Sequence, residues 1–267
     1  DQTSYYRSSE VEAVIHKALN YWFTAKPVCL NWWYNQIGIP KTLGTVFILF
    51  EKQLTPVEKQ NAITVMENAK FGMTGQNKVW LAGNVMMRAL LQNDYELVKM
   101  ARDTIASEIV TGGVEGIKDD WCFHQHGAQQ QFGNYGLSFV SGMSFFSGLF
   151  SGTSLAFDDK QLSILSTLID KGYRWVIWKG MMDVNALGRQ LFHHAPVHKA
   201  LSLAFAASEL GGGESDECVA VATALLRDNY PAPAVNVLTG HKHFWQSDYT
   251  IHRRPSWMAS IKMASDR

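Results

Sequence analysis

Charged residues are scarce in this chain. They make up 18% of the 267 residues, whereas hydrophobic residues make up 46%; an average soluble domain is about 25% charged. The 24 basic and 24 acidic side chains give a formal net charge of +0. No overall field therefore favours nucleic acid or another polyanion. An anionic ligand would have to be held by a local cluster of cations, and we expect no nucleic-acid partner.

Long apolar runs and paired cysteines are also missing. No stretch of about 18 apolar residues exists, so we expect no membrane span. Cys29, Cys122 and Cys218 are odd in number and far apart, and they form neither a metal-binding pattern nor an evident disulfide framework. The chain begins DQTSYYRS, without Met and without a signal peptide. We therefore expect a processed or excised piece of something longer.

Apolar residues recur at helical spacing through most of the chain, and this periodicity predicts about nine helices. They cover roughly residues 10–25, 40–53, 57–69, 78–92, 94–109, 135–150, 159–178, 196–210 and 215–228. Thr55 and Glu58 form a capping box for the third helix. Beyond Pro233, alternating patterns predict strands in residues 243–254 and 256–264. We place a domain boundary near Asn236.

Polar segments separate these helices at residues 27–40, 112–134 and 179–195, with a shorter one at 70–77. Helical hairpins stacked in a ring or solenoid place alternate loops on the same face, so we expect the segments to converge on one cleft. No strict sequence repeat is visible, which leaves the ring a hypothesis. The segment DDWCFHQHGAQQQFGNY, residues 119–135, is too polar for a core element. It is either an active-site loop or a surface loop pinned by its aromatics.

Three familiar chemistries fit these loops poorly. A zinc site lacks any HExxH or Cys/His spacing. A glycosidase needs two carboxylates that flank the bond, and Asp119, Asp120 and Asp183 lack a partner of obvious role. A Ser or Cys nucleophile lacks an elbow such as GxSxG. The loop histidines available for a metal are His124, His126, His193 and His194.

β-Elimination on a uronic acid fits the same loops better. Asn77 and His126 would hold the carboxylate and stabilise the enolate-like dianion that develops during the reaction. Tyr135 would remove the proton α to the carboxylate, and Arg189 would favour the ionised phenol. The phenol formed would then pass a proton to the departing glycosidic oxygen. Tryptophans would stack on sugar rings.

Each residue also has a structural interpretation. Trp32 and Trp33 could both be core residues, although we expect at least one adjacent ring to be exposed. Asn77 could only cap a helix that begins at Lys78. Tyr135 could pack at the start of its helix, and Arg189 could bind only backbone carbonyls. The sequence leaves these alternatives open.

Several motifs, in order, resemble polysaccharide lyase family 8, which contains chondroitin AC, hyaluronate and xanthan lyases. NWWYNQIGIP resembles its NWW-x-x-(E/Q)-IG-x-P motif, and MTGQNKVW resembles its TGAN-like loop. HGAQQQFGNYG resembles its catalytic His and Tyr segment, LGRQ its Arg loop, and FWQSDYTIHRR the entry to its central β domain. Within the family, the HGxQxQ form is closer to chondroitin AC lyases.

The resemblance implies a mainly α fold, an incomplete α/α toroid of helical hairpins followed by the first strands of an antiparallel β domain. Residues 1–236 would be part of the catalytic toroid and residues 237–267 the start of a central β-sandwich domain. It also implies cleavage of an acidic polysaccharide by β-elimination, which leaves an unsaturated uronate at the new non-reducing end. We expect no cofactor and no metal. The full-length enzyme would be a monomer, secreted or periplasmic.

The resemblance also assigns roles. It implies catalytic functions for Asn77, His126, Tyr135 and Arg189. The residues expected to bind substrate are Asn31, Trp32, Trp33, Gln76, Gln129 and His193. His193 stands four residues after Arg189, where the family often has a second Arg.

The family's catalytic Glu would lie beyond Arg267, so we expect a fragment of a longer or cleaved enzyme. Three alternatives remain: an inactive fragment that only binds acidic polysaccharide, a lyase for another polymer such as xanthan or alginate, and a plain helical domain that binds no glycan.

Overall fold

A computed structural model describes residues 5–211 and 238–264. The predicted helix 215–228 and the boundary near Asn236 lie outside the described residues. The chain divides into two compact units. The first contains Asp1–Met73 and Trp80–Ile105, and the second contains Thr74–Val79 and Ala106–Arg267. Within the described ranges, no helix is both long and apolar enough to cross a membrane.

Helices build the first unit. The predicted helices are confirmed in order, with ends that differ by a few residues: α1 (Ser9–Ala25), α2 (Ile39–Leu49), α3 (Pro56–Met66), α4 (Gly75–Gln92) and α5 (Tyr95–Ala106). The start of α4, up to Val79, and the last residue of α5 belong to the second unit. The predicted capping box is present, because the Thr55 side chain accepts from the Glu58 N–H while Glu58 accepts from the Thr55 N–H. Each such cap satisfies helix N–H groups that have no partner within the helix.

Apolar faces of α1, α2, α3 and α4 meet in the core of the first unit. Its buried members are Leu19, Phe23, Phe47, Ala62, Met66 and Leu91. The carboxylate of Glu58 is buried beside this core, 2.9 Å from His16 Nδ1 and 2.9 Å from Asn20 Nδ2. A buried carboxylate is tolerated when it accepts such hydrogen bonds.

Helices and short hairpins build the second unit. Strands β1 (Gly116–Ile117) and β2 (Phe123–His124) pair within the polar segment. The helices that follow are α6 (Leu137–Phe150), α7 (Asp159–Thr167), α8 (Arg174–Val176) and α9 (Ala195–Gly211). The predicted helix from 159 to Trp178 is wrong at its end, because β3 (Ile177–Trp178) turns back at Lys179–Gly180 and pairs with β4 (Met181–Met182).

A three-stranded antiparallel sheet ends the described chain. It consists of β5 (Gly240–Phe244), β6 (Tyr249–Arg254) and β7 (Trp257–Lys262), in that order. The predicted strands are confirmed, although a turn at residues 245–248 divides the first of them. The Tyr249 hydroxyl donates to Asp183 Oδ2 at 2.5 Å, and the Gln246 N–H donates to Asp120 Oδ2 at 2.7 Å. These bonds attach the sheet to the loops of the same unit.

Two glycines allow close packing before α6. A Cβ at Gly133 would lie 2.8 Å from the Ala186 carbonyl oxygen, and one at Gly136 would lie 2.8 Å from Phe123 Cβ. At Gly142, by contrast, an added Cβ would meet no described atom within 4 Å. Close packing therefore depends on Gly133 and Gly136 before α6, and in the described structure it does not depend on Gly142 within α6.

This contrast gives a stability prediction. Gly133→Ala should lower the free energy of unfolding by about 2 kcal/mol, because backbone atoms cannot move aside for the new methyl group. Gly142→Ala, in the middle of α6, should raise it by about 0.5–1 kcal/mol, because alanine favours a helix interior. Urea denaturation measures both. Equal effects of the two substitutions would contradict the packing described at Gly133.

Candidate active site

The polar segment of residues 112–134 has a defined backbone in the second unit. The Gln125 N–H donates to the Gln129 carbonyl at 3.1 Å, and the Gln131 N–H donates to the Phe123 carbonyl at 2.8 Å. Two aromatic side chains of the segment, Phe123 and Phe132, are buried in the core, and both are 0% exposed. The segment is therefore pinned by its aromatics, and it also carries the candidate catalytic residues.

Tyr135 sits in a π-helical turn, Phe132–Gly136, that leads into α6. The hydroxyl of Tyr173 donates to the Phe132 carbonyl at 3.0 Å, and the ammonium group of Lys199 donates to the Gly133 carbonyl. Burial lowers the pKa of Lys199. Both donors are buried, so they fix the turn that carries Tyr135.

His126 and Tyr135 are in contact. Their ring centroids lie 4.9 Å apart, and the rings are nearly perpendicular at 88°. His126 is exposed and has a φ of 61°, a left-handed conformation that costs a non-glycine residue free energy and occurs often at functional sites. The two residues to which the resemblance assigns catalytic roles are thus in contact.

Asn77 lies in the first turn of α4, which begins at Gly75. The interpretation that Asn77 caps a helix starting at Lys78 is therefore wrong. The first N–H groups of α4 use distant acceptors instead, since Gly75 donates to Glu108 at 2.8 Å and Gln76 donates to Gln125 at 2.9 Å.

Two buried side-chain amides in this turn have atoms without a hydrogen-bond partner among the described residues. Asn77 is 5% exposed and Gln76 is 0% exposed. The Oδ1 of Asn77 and both amide atoms of the Gln76 side chain have no hydrogen-bond partner among the described residues. A buried polar group without a partner costs free energy unless a water or ligand satisfies it. The Oδ1 of Asn77 is thus left to a water or a ligand.

An open cleft of about 400 Å³ runs beside His126. Gln129 and Arg189 line it too, and both are exposed. Arg189 follows Gly188, whose φ is 67°. Of the four polar segments expected to converge on one cleft, residues 112–134 and 179–195 both contribute lining residues to this one, and residues 27–40 and 70–77 do not.

Lys262, on β7, lines the same cleft and was not among our candidates. Its signal in the sequence is weak, because it is one basic residue in an alternating strand. With Arg189 it gives the cleft two cationic side chains in a chain of zero formal net charge. Such a local cluster is what an anionic ligand requires.

His193 is exposed, and its ring centroid lies 3.7 Å from that of His194. Like Asn77, Gln76 and Tyr135, it is not among the residues that line the cleft, whereas His126, Gln129 and Arg189 are. Within residues 5–211 and 238–264, no three His, Cys, Asp or Glu side chains form a group that could hold a metal ion.

The remaining candidates belong to the first unit and are described by themselves. Trp33 packs against Ile37 and against Trp80, with ring centroids 5.4 Å apart. Trp32 is 44% exposed, so one ring of the pair is exposed, as expected. Asn31 is exposed, and its Oδ1 accepts from the Trp33 N–H at 3.0 Å.

Family models match both ends of the chain. The model for the N-terminal α-helical domain of polysaccharide lyase family 8 matches residues 1–208. The chain belongs to polysaccharide lyase family 8. The model for the super-sandwich domain of the same family matches residues 239–267.

Individual relatives agree with this assignment. A chondroitinase-AC from Pedobacter heparinus is 29% identical over 271 residues, which cover 98% of this chain and 38% of that protein. A solved chondroitinase AC lyase superposes with a TM-score of 0.85 at 26% identity, covering 99% of this chain and 40% of that one. A Paenibacillus xanthan lyase shares the fold, with a TM-score of 0.82 at 20% identity, covering 97% of this chain and 29% of that one.

These matches confirm the predicted fold class of this family 8 chain, a mainly α, incomplete α/α toroid with antiparallel strands at its C-terminal end. The chain spans about two-fifths of the length of these chondroitinases.

His124 has a different environment from His126. It is 2% exposed, and its Nε2 lies 2.9 Å from the Ser247 hydroxyl oxygen in the β5–β6 turn. Burial, helped by the nearby charge of Lys118, lowers the pKa of His124 to about 4. Its contacts are those of a residue that joins the sheet to the polar segment.

This burial predicts a dependence of stability on pH. Above the unfolded-state pKa of histidine, about 6.5, the ring is neutral in both states and this histidine does not lower the free energy of unfolding. Below that pH the unfolded chain takes up a proton that the buried ring does not, so the free energy of unfolding falls. With the folded-state pKa near 4, the loss at pH 5 is about 2 kcal/mol.

Urea denaturation at pH 7.5 and pH 5 measures this loss in the wild type and in His124→Gln. The difference between the two pH values should be smaller in the variant by about 2 kcal/mol. An identical pH dependence in both proteins would show that His124 is not held neutral.

Proposed function

We propose that the complete gene product is a polysaccharide lyase that cleaves a uronate-containing glycosaminoglycan, of the chondroitin or hyaluronan type, by β-elimination. The observation that carries the proposal is the contact of His126 with Tyr135 beside a cleft lined by Arg189 and Lys262. Membership of polysaccharide lyase family 8 supports the reaction class. Relatives named chondroitinase-AC and hyaluronate lyase support the substrate class.

The first step in this proposal is capture of the uronate carboxylate. Asn77 and His126 donate hydrogen bonds to it, and their bonds strengthen as the carboxylate gains enolate character. The Oδ1 of Asn77 has no hydrogen-bond partner among the described residues, so turning the amide breaks no bond of that oxygen. The oxygen and nitrogen of an amide exchange places by a flip, so a side chain with one unused end can turn its N–H toward a bound anion.

Proton transfer follows. The ionised oxygen of Tyr135 takes the proton from the carbon α to the carboxylate, and the electron pair of that C–H bond forms a carbon–carbon double bond. The glycosidic carbon–oxygen bond at the β position breaks, and the new phenol returns the proton to the leaving oxygen. Arg189 stabilises the ionised phenol. Atoms and electrons balance without water, oxidant or cofactor.

The remaining polar and aromatic candidates hold the polymer. The residues proposed for this are Asn31, Trp32, Trp33, Gln76, Gln129 and His193. The exposed ring of Trp32 offers a flat apolar face to a sugar, and Gln129 lines the cleft. We also propose that the enzyme acts as a monomer and that it is secreted or periplasmic.

Replacement of the proposed base tests the mechanism. Tyr135→Phe should lower the initial rate on chondroitin sulfate by at least about 10³-fold, because the ring remains and only the proton-transferring oxygen is lost. The rate is read from the ultraviolet absorbance of the conjugated uronate product.

Tyr21→Phe makes the same chemical change at an exposed position of α1 and should keep the wild-type rate. Substantial activity in Tyr135→Phe would overturn the assigned mechanism. Binding of chondroitin oligosaccharide by the wild type without any unsaturated product would instead favour the alternative of a binding protein without catalysis.

A further inference from the structure

The carboxylate of Glu115 joins two segments of the second unit. It is partly buried and stands just before β1. Its Oε1 accepts the Gly127 N–H at 3.1 Å. Its Oε2 accepts the Thr74 hydroxyl at 2.5 Å and an amide N–H of Gln125.

The groups bound by Glu115 flank two proposed catalytic residues. Gly127 directly follows His126, and Thr74 begins the turn that contains Asn77. Gln125 adds a second link, because its Oε1 accepts the Gln76 N–H at 2.9 Å while its Nε2 donates to the Thr74 carbonyl at 3.3 Å.

We propose that Glu115 is a positioning residue that fixes the separation of Asn77 and His126, so that both can bind one uronate carboxylate. The inference rests on the proposed function. Three donors converge on the two oxygens of Glu115, and an ionised carboxylate can only accept. Hydrogen bonds to an ionised group are about twice as strong as neutral ones, which suits a clamp between two loops.

Glutamine at position 115 keeps the shape of the side chain but replaces one accepting oxygen with a donating NH₂ group. Its amide N–H₂ would face donors from Thr74 or Gln125, so at least one of the three bonds is lost. Glu108 provides a matched comparison. It accepts the Gly75 N–H at 2.8 Å and pairs with Lys78 at 2.8 Å, and these contacts reach only the Asn77 turn.

Amide hydrogen exchange followed by mass spectrometry tests the clamp without reference to activity. In the complete gene product, Glu115→Gln should raise exchange roughly tenfold in two separate peptides, one spanning residues 74–77 and one spanning 125–129. Glu108→Gln should raise it only in the first peptide. Unchanged exchange at either peptide in Glu115→Gln would overturn the proposal.

Steady-state kinetics test whether the loss of this positioning slows catalysis. Glu115→Gln should lower kcat by roughly 10–100-fold while KM changes by less than about twofold, because displaced donors mainly affect the charge that develops in the transition state. Glu58→Gln alters another carboxylate that accepts several hydrogen bonds, in the first unit. It should lower the melting temperature and leave kcat and KM unchanged.

The outcomes separate the two claims. A wild-type protein that makes no unsaturated product would overturn the proposed function. An active wild type with wild-type kcat in Glu115→Gln would overturn the role of Glu115 alone. A loss of kcat in Glu58→Gln equal to that in Glu115→Gln would show a general effect of destabilisation and would also overturn it.

Discussion

The candidate site depends on the buried turn that carries Tyr135. Two side chains hold this turn by its backbone, since Tyr173 donates to the Phe132 carbonyl and Lys199 donates to the Gly133 carbonyl. The Oε1 of Gln190, next to Arg189 in sequence, also accepts from Lys199, at 2.6 Å. A single buried ammonium thus links the turn of the proposed base to the loop of its proposed cationic partner. Small changes in this turn would displace the reacting oxygen, and positioning errors of about 1 Å cost enzymes about 10²-fold in rate.

Charge in this molecule is local. The chain has a formal net charge of +0, so long-range attraction of a polyanion is weak and is further screened beyond about 10 Å at moderate salt. Arg189 and Lys262 line one cleft, and the open amide of Asn77 lies in the same unit. Recognition in our proposal therefore occurs at short range, through a few oriented donors and two cations, and does not require a basic surface.

Local signals were predictable from the sequence, and tertiary ones were not. The Thr55–Glu58 capping box was found because all its groups lie within four residues. The start of α4 was placed three residues too late because its first N–H groups are satisfied by Glu108 and Gln125, which no local pattern reveals. The roles of His126 and Tyr135 were implied by the resemblance of HGAQQQFGNYG to a family motif, and the contact of their rings is visible only in the structure. Lys262 was missed because only folding brings its strand to the cleft. The assigned roles of all these side chains remain proposals.

The central claim is that the bond is broken by elimination and not by hydrolysis. Digestion of chondroitin by the complete gene product in water enriched in ¹⁸O, followed by mass spectrometry of the oligosaccharides, tests it directly. Elimination transfers only a proton, so each new non-reducing end should be an unsaturated uronate and the new reducing end should gain no ¹⁸O from the cleavage step. Saturated products that carry one ¹⁸O for each bond cleaved, in a short digestion corrected for exchange at the reducing end, would contradict the account.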